Sequence, residues 1–225
     1  MKPSTRSQSG GFTLVELLVV ITVVAALAAT AMAAFRSVRA KANATTELSR
    51  MRNLGVAMFS WAAERNGRLP RSSHSATGHG ECGWQREILP ELGYPDTSRE
   101  SLAMAKPREF GIDPDDTPVR TPALNVYFEL NPEYDDYQGA PQTWRRIDQI
   151  PHPSSTVLLV MAKGTADHIM AQYFTSRADD LPAPAKIGKT AAVLWADGST
   201  SLETPGSLFD PAEGIDRFHP EKARR

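Results

Sequence analysis

The chain has one cysteine, Cys82, among 225 residues, so no intrachain disulfide can form whichever compartment holds it. An excess of charge is also missing. There are 25 Lys and Arg against 26 Asp and Glu, a formal net charge of −1, and no basic stripe is interleaved with aromatics. Nucleic-acid binding therefore has no support, and neither an acidic nor a basic partner is implied. No G-x-S-x-G elbow, H-E-x-x-H pair or phosphate-cradling glycine loop occurs, so the common local signatures of an enzyme are lacking.

What the chain does have begins with residues 12–35, FTLVELLVVITVVAALAATAMAAF. The only side chains there more polar than Ala or Met are Thr13, Glu16, Thr22 and Thr30. As a helix this run spans roughly 36 Å, enough to cross a hydrocarbon core of about 30 Å. Glu16 is out of place in it: an ionised carboxylate in lipid costs about 2.5–3.5 kcal/mol on insertion scales and marks function by default. Upstream, residues 1–11 are polar and basic, with Lys2, Arg6 and no acid, and they end in two glycines.

Ser9, Gly10 and Gly11 followed by FTLVELLVVITVV resemble the class III signal of type IV pilins and type II secretion pseudopilins. The resemblance implies that a prepilin peptidase cuts between Gly11 and Phe12 and N-methylates Phe12. It also implies that Glu16 serves assembly with other pilin-like subunits in a helical fibre on an inner-membrane platform. The physics agrees with this reading. Cleavage leaves a cationic amine on Phe12, and Glu16 stands about 6 Å further up the helix. In a staggered fibre Glu16 of one subunit can meet the Phe12 amine of the next, so two charges costly in lipid become one pair. Ala-rich residues 25–34 permit close helix packing once lipid is lost. Two other readings stay open. Ala31-Met32-Ala33 fits an ordinary signal-peptide site that releases a secreted periplasmic binding domain from near Ala34, or the run is an uncleaved signal anchor. The run is longer than a usual signal-peptide core, and both readings leave Glu16 unexplained.

Lys2 and Arg6 favour a cytoplasmic leader, but Arg36, Arg39 and Lys41 crowd the far end of the span, so charge alone does not set topology. The resemblance does: it implies a single-pass inner-membrane protein with its C-terminal head in the periplasm. The plan is a leader at 1–11, a membrane half-helix at 12–35, an amphipathic half at 36–66 and a head at 67–225. Residues 36–66 contain no proline and one glycine, with Leu48, Met51, Leu54, Gly55, Met58 and Ala62 at three- and four-residue steps. That stripe is expected to face the head. Asn66-Gly67 then ends the helix and Pro70 blocks its return.

Residues 71–121 read as a variable connecting loop, with one short helical turn at 86–94. Strands are expected at 124–130, 155–162 and, more weakly, 171–175, with a hairpin at 191–204 turning on Asp197-Gly198. The fold class is thus α+β: a long N-terminal helix packed on a small antiparallel sheet spanning 124–204, which is also the pilin-like layout. The Asp-Gly hairpin, preceded by Asn125 with Tyr127 and Phe128 and by Pro153-Ser154-Ser155-Thr156, is similar to a large bacterial group of pilin-like proteins with N-terminal cleavage signals. Residues 205–225, rich in Pro, Gly and charge, read as a loose tail.

Candidate sites in the head are few. His74, His79, Glu81 and Cys82 lie within nine residues but match no zinc spacing. Asp113, Asp115 and Asp116, with Glu133, Asp135 and Asp136, offer oxygens suited to calcium without the D-x-D-x-D-G order. Asp197 beside His152, His168 or His219 invites a catalytic reading that its turn position already explains. Trp61, Trp84, Trp144 and Trp195 suit a core and its rim. The expectation is a non-enzymatic subunit with no required cofactor, calcium being the candidate ion.

Overall fold

The computed structural model describes residues 13–129, 144–171 and 189–224. The chain divides into two units, Met1–Ala42 and Asn43–Arg225. A single helix, α1 (Leu14–Ala63), begins in the first unit and ends in the second. In the first unit its large apolar side chains, from Leu14 to Val38, are exposed.

Within the second unit the helix is amphipathic as its spacing predicts. Met51, Leu54, Met58 and Ala62 are buried, joined by Ala57 and Trp61, while Leu48 is half-buried. The helix stops at the expected place. Asn66 and Gly67 take left-handed φ of 58° and 76°, and the Gly67 N–H donates to the Ala62 carbonyl at 2.8 Å.

Residues 71–121 are more structured than a connecting loop. They carry α2 (Ser73–Ala76), α3 (Trp84–Glu87) and α4 (Arg99–Arg108). The Oγ atoms of Ser72 and Ser98 accept from Ser75 and Ser101 N–H, which starts α2 and α4. Pro107 occupies only the last turn of α4, so the proline-rich spelling that suggests a loop does not prevent a helix.

Strand β1 runs over Arg120–Asn125, earlier than the 124–130 expected, and Val126–Glu129 is a 3-10 turn. Asn125 causes the change: its Oδ1 accepts from the Tyr127 N–H at 3.1 Å and bends the chain out of the strand. The other strands are β2 (Val157–Lys163), β3 (His168–Ile169), β4 (Ala191–Trp195) and β5 (Thr200–Glu203), in the spatial order β3-β1-β2-β4-β5. The sheet is mixed where a purely antiparallel one was expected, because β3 pairs with β1 in parallel. Of the weak strand candidate at 171–175, residues 172–175 lie outside the described residues.

The Asp-Gly hairpin is present. Leu194 pairs with Thr200, Gly198 has φ 86°, and the Ser199 N–H and hydroxyl both donate to Asp197 Oδ1. The Pro-Ser-Ser-Thr segment holds the turn from beneath: Ala196 N–H donates to the Thr156 carbonyl at 2.9 Å and Asp197 N–H to that of Pro153 at 3.1 Å.

Both faces of the sheet are covered. Leu124, Leu158, Leu159, Met161, Ala192 and Leu194 pack with the α1 stripe, Trp84 and Phe110. Leu158 and Leu159 share that face because the β2–β4 register shifts between Val157 and Leu159. Ala123, Val157, Val160, Val193 and Trp195 pack on the opposite side with Leu208, Phe209 and Phe218. The C-terminal residues are therefore not a loose tail. They form α5 (Pro205–Leu208) and a two-stranded ribbon of β6 (Phe209–Asp210) and β7 (Ile215–Asp216). Asn125 ties this layer to the sheet, its Nδ2 donating to the Val157 carbonyl at 2.9 Å and the Phe218 carbonyl at 2.8 Å.

Candidate functional site

Helix α1 opens with Thr13-Leu14-Val15-Glu16, the spelling of a capping box. Thr13 stands at the N-cap. Its N–H and hydroxyl donate to Glu16 Oε2 at 2.9 and 2.8 Å, and the Glu16 N–H returns to the Thr13 hydroxyl at 3.3 Å. Two backbone donors that lipid cannot satisfy are thus met inside the first turn, and the carboxylate sits at the positive end of the helix dipole. The remaining hydroxyls of the run are also engaged on the helix itself. Thr22 donates to the Val19 carbonyl at 2.8 Å and Thr30 to that of Leu27 at 2.9 Å. Glu16 is left as the one ionisable side chain in an apolar segment long enough to cross a membrane. Gly11 and Phe12 lie outside the described residues.

Residues 6–32 match the family model of the prokaryotic N-terminal methylation motif. The chain carries a prepilin-type signal. The matched stretch takes in Gly11, Phe12, Thr13 and Glu16, and a motif of this kind implies processing by a peptidase and assembly with other pilin-like subunits. No curated protein and no solved structure matches the chain. Thr13 is the residue that sequence reasoning passed over. Its signal in the sequence is the T-x-x-E spacing of a capping box.

In the head the sequence candidates are dispersed. His74 lies 5.5 Å, ring to ring, from His168, while Glu81 pairs instead with Arg71 at 3.2 Å and the Cys82 N–H donates to Glu87. Asp113 Oδ1 accepts from the Asp115 N–H, and Asp116 approaches Arg120 at 3.9 Å. Asp135 and Asp136, with Glu133, lie outside the described residues. Among the described residues no three His, Cys, Asp or Glu converge as a metal site. Asp197 serves its own turn, and the His219 ring packs at an angle against Tyr127 and Trp144, with centroids at 4.9 and 5.4 Å. The four tryptophans are all buried. Trp84, the deepest, donates Nε1 to the Asp167 carbonyl at 2.6 Å.

The structure adds a buried ionic layer. Arg120 meets Glu47 at 2.9 Å with both side chains nearly inaccessible. Glu129 accepts from the Ser72 N–H and hydroxyl, and Arg145 donates to the Pro70 carbonyl at 3.3 Å. Burial, then the neighbouring Arg71, lower the Arg145 guanidinium to about 10. Burial alone would raise the Asp167 carboxyl, but the His168 ring and the Ser73 hydroxyl and N–H hold it below its ordinary value.

Proposed function

We propose that this protein is a structural subunit of a pilus-like fibre belonging to a type II secretion or type IV pilus machine, and that it serves by assembly and not by chemistry. The apolar part of α1 stores the subunit in the inner membrane with the head in the periplasm. Cleavage after Gly11 and methylation of Phe12 release it for incorporation, and Glu16 pairs with the Phe12 amine of a neighbour. What supports this most is Glu16 itself, a single carboxylate held at the head of a membrane-length helix inside the matched methylation motif. Among the described residues the hydrogen bonds that it accepts fall on Oε2. Thr13 keeps its amide N–H after cleavage, so the cap and the intersubunit pair do not compete for the same donors.

Mass spectrometry of the mature N-terminus from native membranes tests the processing step. The expected chain begins at Phe12 and is heavier by one methyl; a start near Ala34, or an intact Met1, refutes it. Incorporation of Glu16→Gln then separates the two roles of the side chain. Glutamine preserves a capping box but carries no charge. It is expected to stay in the membrane and fail to enter the fibre, and normal incorporation would reduce Glu16 to a helix cap.

A further inference from the structure

A cleft of about 500 Å³ opens on the head between α4 and the α2 region, floored by Gln85 and Arg86 of α3. One face of α4 lines it at helical spacing: Arg99, Leu102, Ala103 and Lys106. Arg86 enters from below, its guanidinium fixed by a 2.6 Å hydrogen bond from Nε to the Thr97 carbonyl. The acids on the opposite wall are already engaged, Glu81 by Arg71 and Arg145, Asp167 by Ser73 and His168. Among the described residues Arg99 and Lys106 have no ion-pair partner, and Arg86 touches only a neutral carbonyl. Gln85, only 7% exposed, also lines the cleft.

We propose that this cleft binds the carboxylates of an acidic peptide segment. Three cations call for acceptor oxygens with negative charge. Their spacing selects among anions. Arg99 and Lys106 stand two turns apart, about 10 Å along the helix, too far for one phosphate to bridge. Two carboxylates three residues apart on a peptide in the polyproline II conformation lie on one face and span about 9 Å, close to that distance. Leu102 and Ala103, between the cations, offer apolar contact to the residues in between. The volume lies within the usual range for small-ligand sites.

The test uses the full chain in neutral detergent and the acetylated, amidated peptide Glu-Ala-Leu-Glu carrying a fluorophore, followed by anisotropy at low salt. The Arg99→Gln/Lys106→Gln double variant is expected to bind about ten-fold more weakly, while Arg52→Gln, an exposed α1 charge outside the cleft, stays within about two-fold of the parent. An equal loss in both variants overturns the site, as does equal binding of Gln-Ala-Leu-Gln. Displacement by inorganic phosphate at the peptide's own concentration refutes a peptide-spaced site in favour of a plain anion site. Cys82, the one thiol of the chain, also lines the cleft, so the unmutated protein provides a second readout that no folding defect can confuse. Bound peptide is expected to slow Cys82 modification by a thiol reagent, and an unchanged rate refutes the proposal. Neither outcome depends on Phe12 processing, so failure here leaves the assembly reading untouched.

Discussion

Asn125→Asp is the substitution that most directly tests how the head closes. The side chain keeps its shape, but the Nδ2 donor that reaches the Val157 carbonyl at 2.9 Å and the Phe218 carbonyl at 2.8 Å becomes an oxygen. Each buried acceptor left unmet costs about 1–3 kcal/mol, so the loss is about 2–6 kcal/mol. That is a large share of the 5–15 kcal/mol typical of a whole domain. The penalty is also pH-dependent, with a definite sign. At about pH 4 the introduced carboxyl can keep its proton in the folded state and donate to one of the two carbonyls, which recovers part of the loss. Burial raises its folded pKa above the unfolded value of about 3.9, so the native state binds more protons and stability falls as pH rises toward the folded pKa. Denaturant unfolding of the full chain in detergent, followed by tryptophan fluorescence at pH 4 and pH 7 and referenced to the parent, measures both effects. A loss below about 1 kcal/mol that is equal at the two pH values would refute the idea that Asn125 fastens the C-terminal layer to the sheet.

Two further outcomes follow from the packing. Glu47→Ala removes the 2.9 Å partner of buried Arg120; unfolding stability should drop by about 3–5 kcal/mol, whereas replacing both Glu47 and Arg120 by leucine should cost far less. A methyl added at Gly55 would come within 2.7 Å of Leu194 Cδ1, so Gly55→Ala should destabilise by about 1–3 kcal/mol despite alanine's better helix propensity. Adding Leu194→Ala should relieve the clash, and the pair's non-additivity in a double-mutant cycle measures it; strict additivity would show that the helix and β4 are not in the contact described.

The elements readable in the sequence are those governed by neighbours along the chain. A 3.6-residue stripe identified the buried face of α1, Asn66-Gly67 its end, and Asp197-Gly198 the hairpin turn, because each depends on local backbone geometry and local periodicity. The Thr13–Glu16 cap belongs with them, since its partners are three residues apart. The C-terminal layer was not readable for a physical reason. Val157 to Lys163 and Ala191 to Trp195 are almost continuously apolar, which signals a sheet covered on both faces, yet nothing local says what covers the second face. The polar, proline-containing segment from Pro205 onward does so, with Phe209 and Phe218. Its role comes from a few large side chains, while composition averages over the whole segment.

The sequence by itself determined the membrane-length helix, its capped and charged start, and the α+β plan of the head, since hydrophobic period, caps and turns act over a few residues. Only the tertiary structure decided that Asn125 leaves its strand to hold the C-terminal layer, that Glu47 neutralises Arg120, and that Gln85, Arg86, Arg99 and Lys106 gather around one cleft beside Cys82. Those are contacts between residues distant in sequence, and which pairs meet is set by how the covered sheet packs as a whole, not by any local preference along the chain.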